Sequence, residues 1–192
     1  MKNSFNFFSS TTGIVVTGLI LGLIAVFLQF SGNPGNMGIC VVCFNRDIAG
    51  AVGLHRAPIV QYLRPEIMGM VLGSLAAALC FGEYRARGGS APAVRFLLGV
   101  IAAIGALVFL GCPWRVIMRL AGGCPGRQLF MAGEGDNDAA VFVVGLIVGA
   151  ACAHNFGMAS STAGIGPNGM LGALGGLAVC LLIGFFNCKR GA

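Results

Sequence analysis

Two long stretches of this sequence carry no charged side chain. Asp, Glu, Lys and Arg are absent from residues 3–45 and from residues 139–188. A charged group at the centre of a bilayer is costly, so stretches of this kind are typical of segments that lie in hydrocarbon. Only 9% of the 192 residues are charged, whereas a soluble domain carries about 25%. We therefore expect an all-α integral membrane protein.

The hydrophobic runs predict the number of membrane spans. A spanning helix needs about 20 mainly apolar residues. By this measure we expect about five glycine-rich transmembrane helices in one membrane domain over residues 1–192. The first follows a polar N-terminus, as a secretory signal does, but its long apolar run and the spans after it favour a retained helix. The predicted spans are Gly13–Phe30, Ile67–Phe81, Phe96–Leu110, Ala139–Met158 and Gly166–Asn187.

Glycine makes up 32 of the 192 residues and recurs at helical spacing. Small residues four apart let the backbones of membrane helices approach closely. We therefore expect a compact bundle, and the same pattern suits an oligomer. Four of the predicted spans contain such a motif: Gly18/Gly22, Gly69/Gly73, Gly145/Gly149 and Gly172/Gly176.

Two connectors differ from the predicted spans. The first, Ser31–Pro65, starts with helix-breaking residues and then becomes apolar, and the second, Gly111–Asp138, starts with Gly-Cys-Pro. Apolar segments of about ten residues are too short to span a bilayer. Such backbone is tolerated at membrane depth only where protein buries it or where it lines a cavity. We predict re-entrant or broken helices at residues 35–50 and 111–123, where transporters place their binding sites.

The distribution of cations bears on topology and on partners. The loop Glu83–Arg95 has three arginines against one acid and is predicted to be cytoplasmic by the positive-inside rule. Arg46, Arg56 and Arg64 then fall on the opposite side, so the first connector dips back or these arginines have another task. The net charge of +6 is dispersed over loops. No basic helix carries interleaved aromatics, so no nucleic-acid partner is expected.

Cys40 and Cys43 form a C-x-x-C motif in the first broken segment. Residues three apart share a helix face, so both sulfurs can face one cavity. A redox pair, half of a metal site and thiols along a solute path are the functional interpretations. The alternative is that both cysteines are small buried hydrophobic residues. No βαβ pattern surrounds the pair, which disfavours thioredoxin-like chemistry.

Cys112 lies in the run Gly111–Arg115, at the end of a predicted span. A helix that begins near Pro113 presents free N–H groups and the positive end of its dipole, which favours an anion. Alternatively, Pro113 starts an interfacial helix whose arginines reach lipid headgroups. Cys124 repeats the Cys-Pro pattern, and its role stays open.

Arg46 and Asp47 come directly after the apolar part of the first broken segment. Charges beside an apolar run are costly unless they are paired or wet. We therefore expect an Arg46–Asp47 pair, or pairing across to Arg115, to hold the backbone of this segment.

The remaining polar residues favour structural roles. His55, Arg56, Arg64 and Glu66 are interpreted as a loop and a helix start. His154 is interpreted as a hydrogen-bonded residue near a span end, with a proton relay as the less favoured alternative. No Ser-His-Asp arrangement, nucleotide-binding loop or His-rich metal site occurs in the sequence, so neither an enzyme nor a cofactor is expected.

Five runs of residues between Asn36 and Gly123 occur in a distinctive order. They are Gly38–Gly50, Arg64–Gly69, Gly88–Pro92 with Arg95-Phe96, Phe109–Arg115 and Arg119–Gly123. In this order they resemble the YeeE/YedE family of sulfur transporters, and most closely its YedE-type branch, which is associated with selenium metabolism.

The resemblance implies a multi-pass permease of the cell inner membrane for a thiosulfate-like sulfur or selenium anion. In that family, cysteines inside the helical bundle relay the anion by weak S–H hydrogen bonds. A cytoplasmic sulfurtransferase of the TusA type is the partner that the resemblance suggests. The implied solute path is formed by Cys40, Cys112 and Cys43, supported by Arg46, Asp47, Pro113, Arg115, Gly38 and Gly111.

Full-length members of the family contain two such halves, and this chain matches about one. Two copies then pair, a companion chain supplies the other half, or the chain is inactive by itself.

Two further functions stay open. One is a membrane thiol-redox protein that uses Cys40 and Cys43 against Cys112 or Cys124. The other is a non-transporting subunit that docks a sulfurtransferase.

Overall fold

The computed structural model describes residues 10–32, 39–58, 61–89, 91–109, 120, 122–160 and 164–190, without the side chains of 187–190. Across these residues the regular structure consists of seven α-helices and no strand, which confirms the all-α prediction. In chain order the helices are α1 (Thr11–Phe30), α2 (Val41–Ala51), α3 (Pro65–Phe81), α4 (Pro92–Phe109), α5 (Pro125–Gly133), α6 (Asn137–Asn155) and α7 (Gly169–Arg190).

Four of these helices are long and apolar enough to cross a membrane, namely α1, α4, α6 and the part of α7 up to Phe186. Each overlaps one predicted span. The remaining predicted span, Ile67–Phe81, falls on α3, which has 17 residues and is shorter than the other four. α3 begins with Pro65, and the residue after it is Gly82 with a left-handed φ of 70°. Proline at the first position and glycine just past the end are usual helix boundaries.

Helices α4 and α6 pack at the centre of the bundle because glycines line their contact. A Cβ on Gly145 would lie 3.1 Å from Cα of Gly99 and would overlap the carbonyl oxygen of Phe96. A Cβ on Gly149 would in the same way overlap the backbone of Val100. The prediction that small residues bring helix backbones together is confirmed for this motif.

The other three glycine motifs make no backbone contact of this kind. The Gly172/Gly176 motif of α7 faces side chains of α4 and of the loop after α6. A Cβ added to the Gly18/Gly22 motif of α1 or the Gly69/Gly73 motif of α3 would meet no described atom within 4 Å. Within one chain, therefore, the expected tight packing through these two motifs is not met.

Helix α2 is short and lies inside the bundle. Seven of its 11 residues are buried. Just beyond its C-terminal end, Leu54 accepts a hydrogen bond of 2.8 Å from the side chain of Asn155, the last residue of α6. Its first residue, Val41, belongs to a cluster that packs against Val143 of α6. The N-terminus of α2 therefore lies part-way along α6.

Helix α5 lies in the second connector, after the broken helix predicted at residues 111–123, and the sequence did not predict it. Its N-cap is Cys124, whose Sγ accepts a hydrogen bond of 3.4 Å from the backbone N–H of Arg127. Pro125 takes the first helical position, where its missing N–H costs nothing. Near the other end, a Cβ on Gly133 would overlap Ser74 of α3, so α3 and α5 pack closely. The Cys-Pro pair is thus a helix start.

The arginine-rich loop after α3 pairs with the acidic turn after α5. The N–H of Arg87 donates to the carbonyl of Gly135 at 3.0 Å, and the N–H of Asn137 donates to the carbonyl of Arg87 at 3.3 Å. Arg95 Nε lies 3.7 Å from a carboxylate oxygen of Asp138. The acidic residues after α5 therefore lie on the same side of the bundle as the loop that was predicted to be cytoplasmic.

Candidate functional site

The two sulfurs of the C-x-x-C motif are in direct contact. Cys40 is the N-cap of α2, with an extended backbone, and Cys43 lies in the first turn. The Cys40 and Cys43 Sγ atoms lie 2.6 Å apart, and both side chains are half-buried. The prediction that both thiols share a helix face is confirmed.

One turn beyond Cys43, a buried carboxylate binds two arginines. Asp47 Oδ1 accepts hydrogen bonds from Arg46 Nε at 3.0 Å and Nη2 at 2.8 Å. Asp47 Oδ2 accepts from Arg64 Nε at 2.8 Å and Nη2 at 2.5 Å. The predicted Arg46–Asp47 pair is confirmed, whereas the alternative partner, Arg115, lies outside the described residues.

The second arginine has a role that the sequence interpretation missed. Arg64 was placed at a helix start, and it does precede α3, but its side chain is fully buried against α2. Its guanidinium also donates to the Tyr62 hydroxyl at 2.5 Å, lies 3.6 Å from Glu66 Oε1 and stacks over the ring of Phe44 at 4.9 Å. The two arginines and two carboxylates balance, so the cluster holds α3 on α2 without net charge.

A pair of histidines lies beside the C-terminal half of the same helix. His55 Nε2 lies 2.9 Å from the carbonyl oxygen of Arg46, and its Nδ1 lies 3.4 Å from the N–H of Ala57. The ring packs on Gly50, where a Cβ would lie 3.0 Å from His55 Cε1. The His55 and His154 rings stack with centroids 4.6 Å apart and planes inclined by 31°.

The structure corrects the interpretation of His154. We expected a hydrogen-bonded residue near a span end, and the residue does lie in the last turn of α6. Its Nε2, however, is buried and has no hydrogen-bond partner among the described residues. Burial without a partner is costly for a ring nitrogen.

A groove of about 680 Å³ lies between α1, α3 and α5. Its wall includes Ile39 and Val41, the two residues on either side of Cys40, and is otherwise largely apolar. Three carboxylates, Glu66, Glu83 and Glu134, reach it, and its described lining contains no Lys or Arg. An anion is therefore not expected to travel along this groove.

The structure leaves part of the predicted site without a description. Cys112, Pro113, Arg115, Gly38 and Gly111 lie outside the described residues, as does most of the predicted re-entrant segment 111–123. Among the described residues, no group of three or more His, Cys, Asp or Glu side chains is arranged to hold a metal ion.

Four helices that can cross a bilayer define this chain as a multi-pass α-helical membrane protein. No family model, no curated protein and no solved structure matches the chain. The resemblance to the YeeE/YedE family therefore stays a prediction.

Proposed function

We propose that this chain is a membrane permease for a small sulfur- or selenium-containing anion such as thiosulfate. The observation that carries the proposal is the position of Cys40, at the N-terminus of a buried helix that begins part-way along α6. At about 1.5 Å per residue, the 11 residues of α2 extend about 16 Å, roughly half of a hydrocarbon core of about 30 Å. A solute that reaches Cys40 is then inside the membrane.

The groups at this helix end suit a soft anion. A thiol is a weak hydrogen-bond donor, and the first N–H groups of a helix have no partner within the helix. The helix dipole adds partial positive charge at the same end. Arg46 lies nearby, but Asp47 offsets its charge. Such a site binds an anion without trapping it.

The same proposal includes the arrangement of the helices in the membrane, the cellular location and the partners. α2 is then part of the re-entrant segment predicted at residues 35–50, and α3 is the fifth span. The permease lies in the inner membrane and works as two paired copies or with a companion half. A cytoplasmic sulfurtransferase of the TusA type receives the solute.

Uptake into proteoliposomes tests the proposal. Vesicles containing the purified chain alone are given radiolabelled thiosulfate, or labelled selenium oxyanions, and uptake is compared between the wild type, Cys40→Ala and Cys112→Ala. We expect both variants to lose most of the uptake, because each removes a thiol from the path. Cys80→Ala is the matched control, because Cys80 is an exposed thiol of α3.

Two outcomes contradict the proposal. Full uptake in Cys40→Ala would show that the solute does not need the Cys40 thiol. Equal losses of uptake in Cys80→Ala and Cys40→Ala would indicate a general effect of removing cysteines. If the folded wild-type chain takes up nothing, the measurement is repeated with the second half of a full-length family member. A still inactive pair excludes the permease.

A second function is favoured by the contact between the Cys40 and Cys43 sulfurs. In a thiol-redox protein the two thiols would form one S–S bond and pass two electrons and two protons to a quinone or to a disulfide substrate. Cys43→Ala separates the two functions. A redox protein loses its activity without Cys43, whereas a permease that relays the solute through Cys40 and Cys112 retains uptake.

A further inference from the structure

The stacked histidines connect the candidate solute site to a spanning helix. His55 follows α2 and His154 lies in the last turn of α6, and their rings are 4.6 Å apart. His55 is 3% exposed, and the His154 Nε2 atom is buried. His55 also bonds to the backbone of Arg46, the residue that pairs with Asp47 beside the cysteines. A change of charge on the pair is therefore passed directly to α2.

The hydrogen bonds of His55 define which nitrogen of the pair is available to a proton. Nε2 faces a carbonyl oxygen, so it carries the hydrogen, and Nδ1 faces the N–H of Ala57, so it is the acceptor. Both nitrogens of His55 are thus engaged in its neutral form. His154 Nε2 has no hydrogen-bond partner among the described residues, so in the Nδ1–H tautomer of His154 a proton adds at Nε2 without breaking a hydrogen bond.

Few charges face this pair. Arg46 and Asp47 of α2 act on His154, and Arg64 lies behind Asp47. Arg56 follows His55 in the loop but is exposed. α4 and α7, which pack against the core with α6, contain no charged residue over 96–109 and 169–186. A proton on His154 therefore adds positive charge to a half-buried ring stacked on His55, which bonds to Arg46, and this is unfavourable unless an anion compensates it.

We infer that the His55–His154 pair binds the proton that enters the cell together with the anionic solute. The inference rests on the proposed permease function and names its coupling ion. An oxyanion between Cys40 and Arg46 supplies the negative charge that a protonated pair requires. By thermodynamic reciprocity the proton then strengthens binding of the anion to the same extent. Solute and proton are therefore carried together.

Proton movement during uptake tests the inference. Proteoliposomes that contain the wild-type chain and an internal pH-sensitive dye receive external radiolabelled thiosulfate, and the interior pH is followed together with uptake. We expect the interior to acidify as thiosulfate enters, beyond the signal of protein-free vesicles. An imposed inward proton gradient should raise the accumulation of thiosulfate several-fold.

Variants assign the proton to the histidines. In His154→Gln we expect thiosulfate to equilibrate without acidification and without a response to the proton gradient. His55→Gln, which retains a donor for the Arg46 carbonyl, is the second variant and should weaken the coupling. Arg56→Gln is the matched control, because it removes an exposed charge from the same loop. It should behave as the wild type does.

The outcomes separate the inference from the function on which it rests. Uptake without acidification in the wild type overturns proton coupling and leaves the permease in place. Acidification that persists in both histidine variants overturns the assignment of the proton to this pair. A folded wild type that takes up no thiosulfate, either alone or together with the second half of a full-length family member, overturns the permease, and the inference with it.

Discussion

The carboxylate of Asp47 accepts two hydrogen bonds from the guanidinium of Arg64, 17 residues further along the chain. Both side chains are fully buried. This contact fastens the start of α3 to α2, and it lies one turn beyond the C-x-x-C motif. The short helix that carries the candidate site is therefore held in place by an ionic contact as well as by apolar packing.

Removing the charge of Asp47 should destabilise the protein severely. Asp47→Asn leaves Arg64 buried with half of its anionic partners, and breaking a buried pair costs about 3–5 kcal/mol. Thermal unfolding in detergent should show a markedly lower midpoint. The double variant Asp47→Leu with Arg64→Met is the comparison, because it removes both charges and should recover part of the loss. An unchanged midpoint in Asp47→Asn would show that the pair does not stabilise the fold.

An added methyl group should lower stability in one glycine motif and have no such effect in another. Gly145→Ala forces a Cβ onto the backbone of α4, and overpacking of this kind costs about 1–3 kcal/mol. Gly73→Ala is the matched control, because its Cβ enters open space on α3. We expect the unfolding midpoint to fall in Gly145→Ala alone. If Gly73→Ala lowers the unfolding midpoint equally, α3 packs at Gly73 against a neighbour that does not belong to the single chain.

A serine should preserve both stability and uptake at position 124, but it should not preserve uptake at position 40. Cys124 caps α5 through its sulfur, and serine is a preferred N-cap residue, whereas alanine at such a position costs about 0.5–2 kcal/mol. Cys124→Ser should therefore keep the unfolding midpoint and the thiosulfate uptake, and Cys124→Ala should lower the midpoint. Cys40 makes no cap bond with its side chain, so Cys40→Ser should keep the midpoint and lose uptake. Loss of uptake in Cys124→Ser would place that thiol on the solute path.

Local patterns in the sequence were sufficient for the class of protein and for part of the site. Charge-free apolar stretches predicted the membrane helices, because the cost of burying charge in lipid acts on every residue separately. The contact of Cys40 with Cys43 also followed, because residues three apart share a helix face. The pairing of Arg46 with Asp47 was one of two predicted pairings, since charges beside an apolar run are costly unless they are paired.

Only the tertiary structure decided which distant residues meet. The bond from Arg64 to Asp47, the stack of His55 on His154 and the choice of Gly145 over Gly73 as a packing surface each join elements far apart in the chain. Helix propensity and hydropathy act over a few residues. The partners of a buried arginine or histidine depend on how whole helices pack, and no short pattern in the sequence encodes that arrangement.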